Sequence, residues 1–246
     1  MLTVSHVTKK YGKVAACKDI SFTVEQGQCA ILLGPNGAGK STLIKSVIGL
    51  LKYEGEITVN GLSTKTVEAK KTVGYIPEIP ALYPNLTVYE HLQFIAKAYK
   101  LQNWEARADA LLDMFELSDK KKKFGDELSK GMQQKLNICI GLLPDPDFIL
   151  FDEPMIGLDP HAIKQLKNVI EDLRARGKTM LISTHIIDSV DMLWDSTLIL
   201  QNGEAKAFIS REALEKRGRT LEEYFFEVTE GVDAADILSA RKPEEA

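Results

Sequence analysis

The 246-residue chain is poor in cysteine and has no long apolar run. Cys17, Cys29 and Cys139 are scattered, with no CxxC pair. That spacing offers neither a disulfide framework nor a structural metal set, so each is read as a small buried apolar residue. No stretch approaches the roughly 18 apolar residues that a spanning helix requires. The N-terminus, Met1-Leu-Thr-Val-Ser-His6, lacks the charged-then-apolar pattern of a secretory signal. These absences predict a chain that begins in the cytoplasm and does not itself cross a membrane. A basic excess is missing too: Lys and Arg total 31 against 35 Asp and Glu, a net charge of −4. Nucleic acid is therefore not expected as a partner, because there is no surplus of cations to displace its counterions. No internal repeat or low-complexity tract is present. What remains is an ordinary globular composition, 44% hydrophobic and 27% charged, in a chain long enough for one large domain with a sizeable insert.

The most informative stretch is Ile31-Leu-Leu-Gly-Pro-Asn-Gly-Ala-Gly-Lys-Ser-Thr42. Gly34, Gly39, Lys40 and Ser41 stand at phosphate-loop spacing. Glycines at 34, 37 and 39 let the backbone aim successive N–H groups at an anion, and the helix that follows points its positive end at the same place. Lys40 then reaches the β- and γ-phosphates and Ser41 ligates magnesium. By average residue usage, chance produces this pattern in about one such chain in a hundred. The apolar run before the loop reads as a buried strand, and Leu43, Ile44, Val47 and Ile48 follow at helical spacing until Gly49. The chain is expected to bind a nucleoside triphosphate.

Along the chain, Leu2 to Val7, Ile20 to Val24 and Cys29 to Leu33 read as strands. Tyr11-Gly12 lies in the first turn, where the aromatic could stack on an adenine or be an ordinary turn tyrosine; spacing leaves both open. Glu56 to Gly61 is a strand ending in an Asn-Gly turn, and residues 72 to 77 form another. Prolines 77, 80 and 84 mark a subdomain boundary. The next sixty residues read as three helices. The first has a Thr87–Glu90 capping box and an apolar face of Val88, Leu92, Ile95 and Tyr99. The second carries Trp104, Ala108, Leu111 and Phe115. The third begins at Ser129 and ends at Pro144. Lys120 to Lys123 reads as a solvated turn.

Phe148 to Asp152 suits a strand buried on both faces of a parallel sheet. Asp159-Pro160 starts a helix by N-cap and N1 preference. Thr179 to Thr184 is a strand, and Asn202-Gly203 joins a hairpin. The β/α alternation argues a mostly parallel sheet covered by helices. Near the end, a Thr220–Glu223 capping box opens a helix with Leu221, Tyr224, Phe225 and Val228 on one face. That face either packs on its own domain or docks another protein. Residues 241 to 246 read as frayed.

Asp152-Glu153, at the carboxyl end of a buried strand, supplies what a phosphate loop alone lacks. Asp152 can hold magnesium, and Glu153 can take a proton from an attacking water, while the loop positions and neutralises the phosphates.

With these motifs in order, residues 1 to about 210 resemble the nucleotide-binding subunit of an ABC transporter. Gly34 to Thr42 resembles its Walker A loop, Phe148 to Glu153 its Walker B, and Leu128-Ser-Lys-Gly-Met-Gln133 its LSGGQ signature. Gly157-Leu-Asp-Pro160 resembles the D-loop, and His185 stands where the family has its switch histidine. The resemblance implies an α/β fold: a P-loop NTPase (RecA-like) core with a mostly parallel sheet, an N-terminal antiparallel β subdomain, and an all-helical insert at about 82–144. Residues 211–246 are then a helical tail. It implies ATP and Mg2+ as ligands. Tyr11, Asn36, Gly37, Gly39, Lys40, Ser41, Thr42, Ser129, Gly131 and Asp159 would bind nucleotide. Ser41, Asp152 and Glu78 would hold metal, with Glu153, His185 and Lys40 catalytic. His6, His91 and His161 are assigned nothing.

Two departures stand out. Glu78 replaces the family's glutamine before the insert, and Lys130 and Met132 replace glycine and glutamine in the signature. Both resemble a branch of bacterial multidrug and bacteriocin-type exporters. The expected partners are separately encoded transmembrane permease subunits and a second ATPase subunit, identical or not, at the cytoplasmic membrane face. An importer ATPase, a soluble ATPase acting on ribosomes, DNA or iron–sulfur assembly, and a binding-only subunit are the competing readings.

Overall fold

A computed structural model describes residues 1–190 and 193–231. The strands and helices, in order, are β1 (Leu2–Tyr11), β2 (Val14–Val24), β3 (Cys29–Leu33), α1 (Lys40–Val47), β4 (Glu54–Val59), β5 (Leu62–Ser63), α2 (Val67–Lys71) and β6 (Val73–Ile76). They continue with α3 (Val88–Tyr99), α4 (Trp104–Met114), α5 (Lys130–Leu142), β7 (Phe148–Asp152), α6 (Pro160–Ala175) and β8 (Thr179–Thr184). The described part ends with β9 (Ser196–Gln201), β10 (Glu204–Ser210), α7 (Arg211–Lys216) and α8 (Leu221–Glu230).

Two sheets result. The first is antiparallel, in the order β2-β1-β4-β5, and the second runs β10-β9-β3-β8-β7-β6. In the second, β9, β3, β8, β7 and β6 are parallel and β10 closes one edge antiparallel to β9. The mostly parallel sheet is what the alternation of apolar runs and amphipathic helices predicts, and the two sheets together are the P-loop NTPase arrangement that the resemblance implies. Burial explains the composition of the central strands. Cys29, Ile31 and Leu33 face a core shared with α3 to α6, while Ala30 and Leu32 face a second core against α1 and the antiparallel sheet. Strand β7 divides the same way, Ile149 and Phe151 to one side, Phe148 and Leu150 to the other. A strand covered on both faces has no place for a polar residue until it reaches its end.

Helices α3, α4 and α5 lie between β6 and β7 in sequence. Thr87 and Glu90 form the reciprocal capping box of α3. The face this helix buries overlaps the expected one: Val88 and Leu92 point inward together with His91 and Ala96, Ile95 is half-buried against the same core, and Tyr99 is exposed. His91 can be buried because both ring nitrogens are partnered: Nδ1 lies 2.8 Å from the Thr87 carbonyl and Nε2 accepts the Tyr83 N–H at 2.9 Å. Helix α5 lies so close to β6 that a Cβ on Gly141 would fall 2.7 Å from the Ile76 side chain. Glycine there allows the helix to sit directly on the strand that leads to Glu78.

Smaller differences also have physical causes. Strand β1 runs on through Tyr11, which pairs with Val14 and so ends a strand rather than standing in the turn. Helix α2 is too short for periodicity to reveal. After β8 comes a 3-10 turn, Ile187–Ser189. At the other end of the chain, Leu221 and Tyr224 of α8 are buried, and Phe225 and Val228 pack partly against the same core. The apolar face of that helix is thus covered by its own chain. Residues 241–246 lie outside the described residues.

Candidate active site

The site is assembled at the carboxyl ends of β3, β7 and β8, with the segment after β6 alongside. After Leu33 the chain turns through Gly37 and Gly39 at φ 82° and 106°. At Gly39 a side chain is excluded twice over, by the left-handed backbone and by the Ala16 carbonyl, 2.3 Å from where a Cβ would stand. This close approach fixes the loop against β2. Helix α1 begins at Lys40 with no acidic residue in its first turn, so its positive end is left uncompensated at the loop. The Lys40 ammonium folds back over the loop, donating to the carbonyls of Gly34 (2.7 Å) and Pro35 (3.3 Å).

The acidic pair arrives on β7. Asp152, 2% exposed, accepts the Ser183 hydroxyl at 2.6 Å and the Ser41 hydroxyl at 3.3 Å through Oδ1. Glu153 adopts φ 49°, a left-handed conformation uncommon for a residue with a side chain. The turn directs its carboxylate into the site, with Oε1 3.3 Å from Lys40 Nζ and 3.0 Å from His185 Nδ1. Its N–H donates to both oxygens of Ser183, the hydroxyl at 3.0 Å and the carbonyl at 3.2 Å. Ser183 therefore pins both acids. It escaped the sequence reading because its role comes from register, Asp152 pairing with Ser183 across β7 and β8.

A cleft of about 330 Å³ unites most of the expected residues: Asn36, Gly37, Gly39 to Thr42, Glu78, Glu153 and His185. Asp152 joins it through Ser41. Four expected residues are elsewhere. Tyr11 is half-exposed at the end of β1, with the Lys9 ammonium 4.9 Å from its ring centre. Ser129 and Asp159 cap α5 and α6, accepting the N–H groups of Met132 (3.3 Å) and Ala162 (2.9 Å). That backbone donor holds the Asp159 carboxyl below its usual range. Gly131 lies beside the Gly157 carbonyl, so close that a Cβ would stand 3.3 Å from it. The segment around Gly131 and the one around Gly157 thus abut one another, and Ile156 carries the second of them to the edge of the cleft.

The arrangement suits a polyanion. One ammonium, the amino end of α1 and a glycine turn face the phosphate side, with a carboxylate beside that ammonium and an imidazole in contact with the carboxylate. Ser41 Oγ and Asp152 Oδ1, adjacent hard oxygens, match what magnesium takes from a protein, which is one or two carboxylates beside substrate phosphates.

The ABC transporter family model matches residues 17–156, more than half of the chain. The chain belongs to the ABC transporter family. It is 37% identical to the ABC-type transporter ATP-binding protein EcsA of Bacillus subtilis, over 93% of this chain and 96% of that protein. It is also 37% identical to the linearmycin resistance ATP-binding protein LnrL of the same organism, over 83% of this chain and 67% of that protein. Among solved structures, an ATP-binding subunit of an ABC transporter superposes with TM-score 0.88 at 36% identity, covering 93% of this chain and 99% of that one. A dimeric ATP-binding cassette in a post-hydrolysis state with ADP and Pi gives TM-score 0.78 at 27% identity, covering 85% and 98%. This ABC protein is accordingly an ATP-binding subunit and an ATPase. No helix among its described residues is long and apolar enough to cross a membrane.

Proposed function

We propose that this ABC ATPase drives separately encoded membrane subunits, in the export direction, by closing as a dimer around ATP and reopening after hydrolysis. The observation that carries the reading is the convergence of Lys40, Ser41, Glu78, Glu153 and His185 on one cleft, with Asp152 bonded to Ser41. Main-chain amides of the Asn36–Gly39 turn and Lys40 hold the phosphates. Glu153, held by His185, accepts a proton from the attacking water, and His185 faces the terminal phosphate. Ser41 and Asp152, with Glu78 across the cleft, are the residues that would hold Mg2+. That ion would supply charge neutralisation at the phosphate oxygens. Tyr11, paired with Val14 at the turn of the β1–β2 hairpin, stacks on the adenine.

Ser129, Gly131 and Asp159 stand outside the cleft, as groups that serve a second subunit's ATP would. Their grouping supports a two-fold dimer in which each signature helix completes the other site. In this reading residues 1–210 are the ATPase domain, with the helical insert at about 82–144, and residues 211–246 are a tail. The face toward the membrane partner is the apolar side of the insert. Ile79, Tyr83 and Phe94 are exposed there, the rings of Tyr83 and Phe94 5.6 Å apart. Such a patch beside Glu78 suits a helix of the membrane subunit, whose seating would be felt at the site. The protein would then lie on the cytoplasmic face of the membrane through its partners. Export is supported by relatives named for it: the Nod factor export protein I of Rhizobium meliloti is 36% identical over 82% of this chain and 62% of its own length.

Two measurements test the reading. Lys40→Ala should lose detectable ATP binding; unchanged affinity would take the phosphate role away from the loop. Co-expression with the membrane protein encoded beside it should yield a complex whose ATP hydrolysis responds to the exported compound. A complex that accumulates substrate inside vesicles of right-side-out orientation would reverse the direction.

A further inference from the structure

Two uncharged amides on α5 are buried and belong to none of the motifs. Gln134 and Asn137 are 2% and 5% exposed, and their spacing of three puts them on one face of the helix. Amides buried that deeply persist only with partners. Asn137 Nδ2 donates to the Pro77 carbonyl at 2.8 Å and to Gln134 Oε1 at 3.3 Å. Gln134 Nε2 donates to the Pro154 carbonyl, also at 3.3 Å. Both ends of this chain are main-chain carbonyls, which only accept. Each amide must therefore present its NH2 group outward, and the Gln134 oxygen takes the second Asn137 N–H. The orientation of both side chains is determined by this alone.

The two carbonyls belong to the residues beside the acids of the site. Pro77 precedes Glu78, and Pro154 follows Glu153. In both prolines the ring fixes φ, so a displaced carbonyl carries the neighbouring chain with it. The amides ride on the helix whose amino end presents Ser129 and Gly131. We propose that Gln134 and Asn137 are positioning residues for ATP hydrolysis, a buried relay that makes the placements of Glu78 and Glu153 depend on each other and on the orientation of α5. A rotation of α5 on the sheet must shift one acid or break a bond at one end. The relay rests on the roles given to Glu78 and Glu153 above, but adds residues that touch neither ATP nor water.

The test uses the full-length chain and two shape-preserving substitutions that remove the donors, Asn137→Leu and Gln134→Met. Misplacement of reacting groups by a fraction of an ångström to one ångström lowers turnover by on the order of tenfold to a hundredfold. Each variant should show that loss in kcat for ATP hydrolysis while the KM for ATP stays close to the parent's, because the phosphate loop is untouched. The double variant should turn over no more slowly than the worse single, since one break already severs the relay. Parent-like kcat in both singles, losses that multiply in the double, or a loss confined to KM would each overturn the proposal. Melting curves identify a variant that fails to fold. If Asn137→Leu fails, Gln134→Met, which leaves the bond to Pro77 intact, decides the matter by its kcat. Glu153→Gln in the same assay separates this inference from the one beneath it. Hydrolysis by Glu153→Gln at the parent rate removes the base, whereas its loss alongside parent-like relay variants removes the relay alone.

Discussion

Replacing Glu153 by glutamine removes the proposed base while keeping its outline. The side chain is buried, with Oε1 3.0 Å from His185 Nδ1 and 3.3 Å from Lys40 Nζ. Glutamine retains an oxygen on the same stem, so an imidazole N–H can still donate to it. What disappears is the negative charge, and with it the acceptor for the proton of an attacking water. General-base contributions run to about 10²–10⁴-fold, which at about 1.36 kcal/mol per decade raises the barrier by roughly 2.7–5.4 kcal/mol. Nucleotide binding should move the other way. Lys40 is shared between Glu153 and the carbonyls of Gly34 and Pro35; without the carboxylate its charge is more fully available to phosphate. The assay is phosphate release at saturating ATP with Mg2+, beside equilibrium binding of ATP to the same preparation. Size-exclusion chromatography in ATP should show dimer accumulating, because closure is no longer undone by hydrolysis. Phosphate release at the parent rate would refute the assignment, and weakened ATP binding would refute the account of Lys40.

Three further outcomes follow from local geometry. Gly39→Ala places a Cβ 2.3 Å from the Ala16 carbonyl at φ 106°; it should cost about 1–3 kcal/mol of backbone strain and abolish ATP binding, read by urea unfolding and by titration. Phe115→Ala empties a fully buried position among α3, α4 and α5 and should destabilise by about 3–5 kcal/mol, visible as a lowered urea midpoint with unchanged slope. Burial works against the ionised Asp145 carboxylate, but Arg107, Lys178 and Arg176 together outweigh it and hold the group below the usual carboxylate range. A depressed folded-state value means that the stabilisation is complete above the unfolded value and fades as pH falls through the folded one. Asp145→Asn should therefore lower the urea midpoint at pH 6 and flatten its decline below about pH 4; an unchanged acid limb would refute it.

What the sequence made legible was whatever depended on neighbours along the chain. The glycine turn and α1 follow from residues 34 to 48, and the acids at the end of β7 follow from the apolar run ahead of them. The Thr87, Asp159 and Thr220 caps are equally local, and all three accept the N–H three residues on. Long-range pairing was not legible. Ser183 was only a residue ahead of His185 until register set it opposite Asp152, and Gln134 and Asn137 were polar positions on a helix until α5 met Pro77 and Pro154. Periodicity also drew the edge of one face of α3 imperfectly. It counted the exposed Tyr99 with that face and assigned nothing to His91, because hydrophobicity cannot anticipate that a histidine will find both the Thr87 carbonyl and the Tyr83 amide.

The pairing of β3 has a consequence for biosynthesis. Its strand and the loop behind it leave the ribosome early, yet both neighbours come from far downstream: Ile31 lies opposite Ile182 on one side and Thr197 on the other. Until β8 and β9 have been translated, β3 has no partner on either edge, and Ser183 and His185 do not yet exist. A chain ending before β8 would thus carry the whole phosphate-binding motif without the residues proposed to complete the site. On the roles proposed for Glu153 and His185, hydrolysis needs this chain to be in place at least as far as the second of these residues.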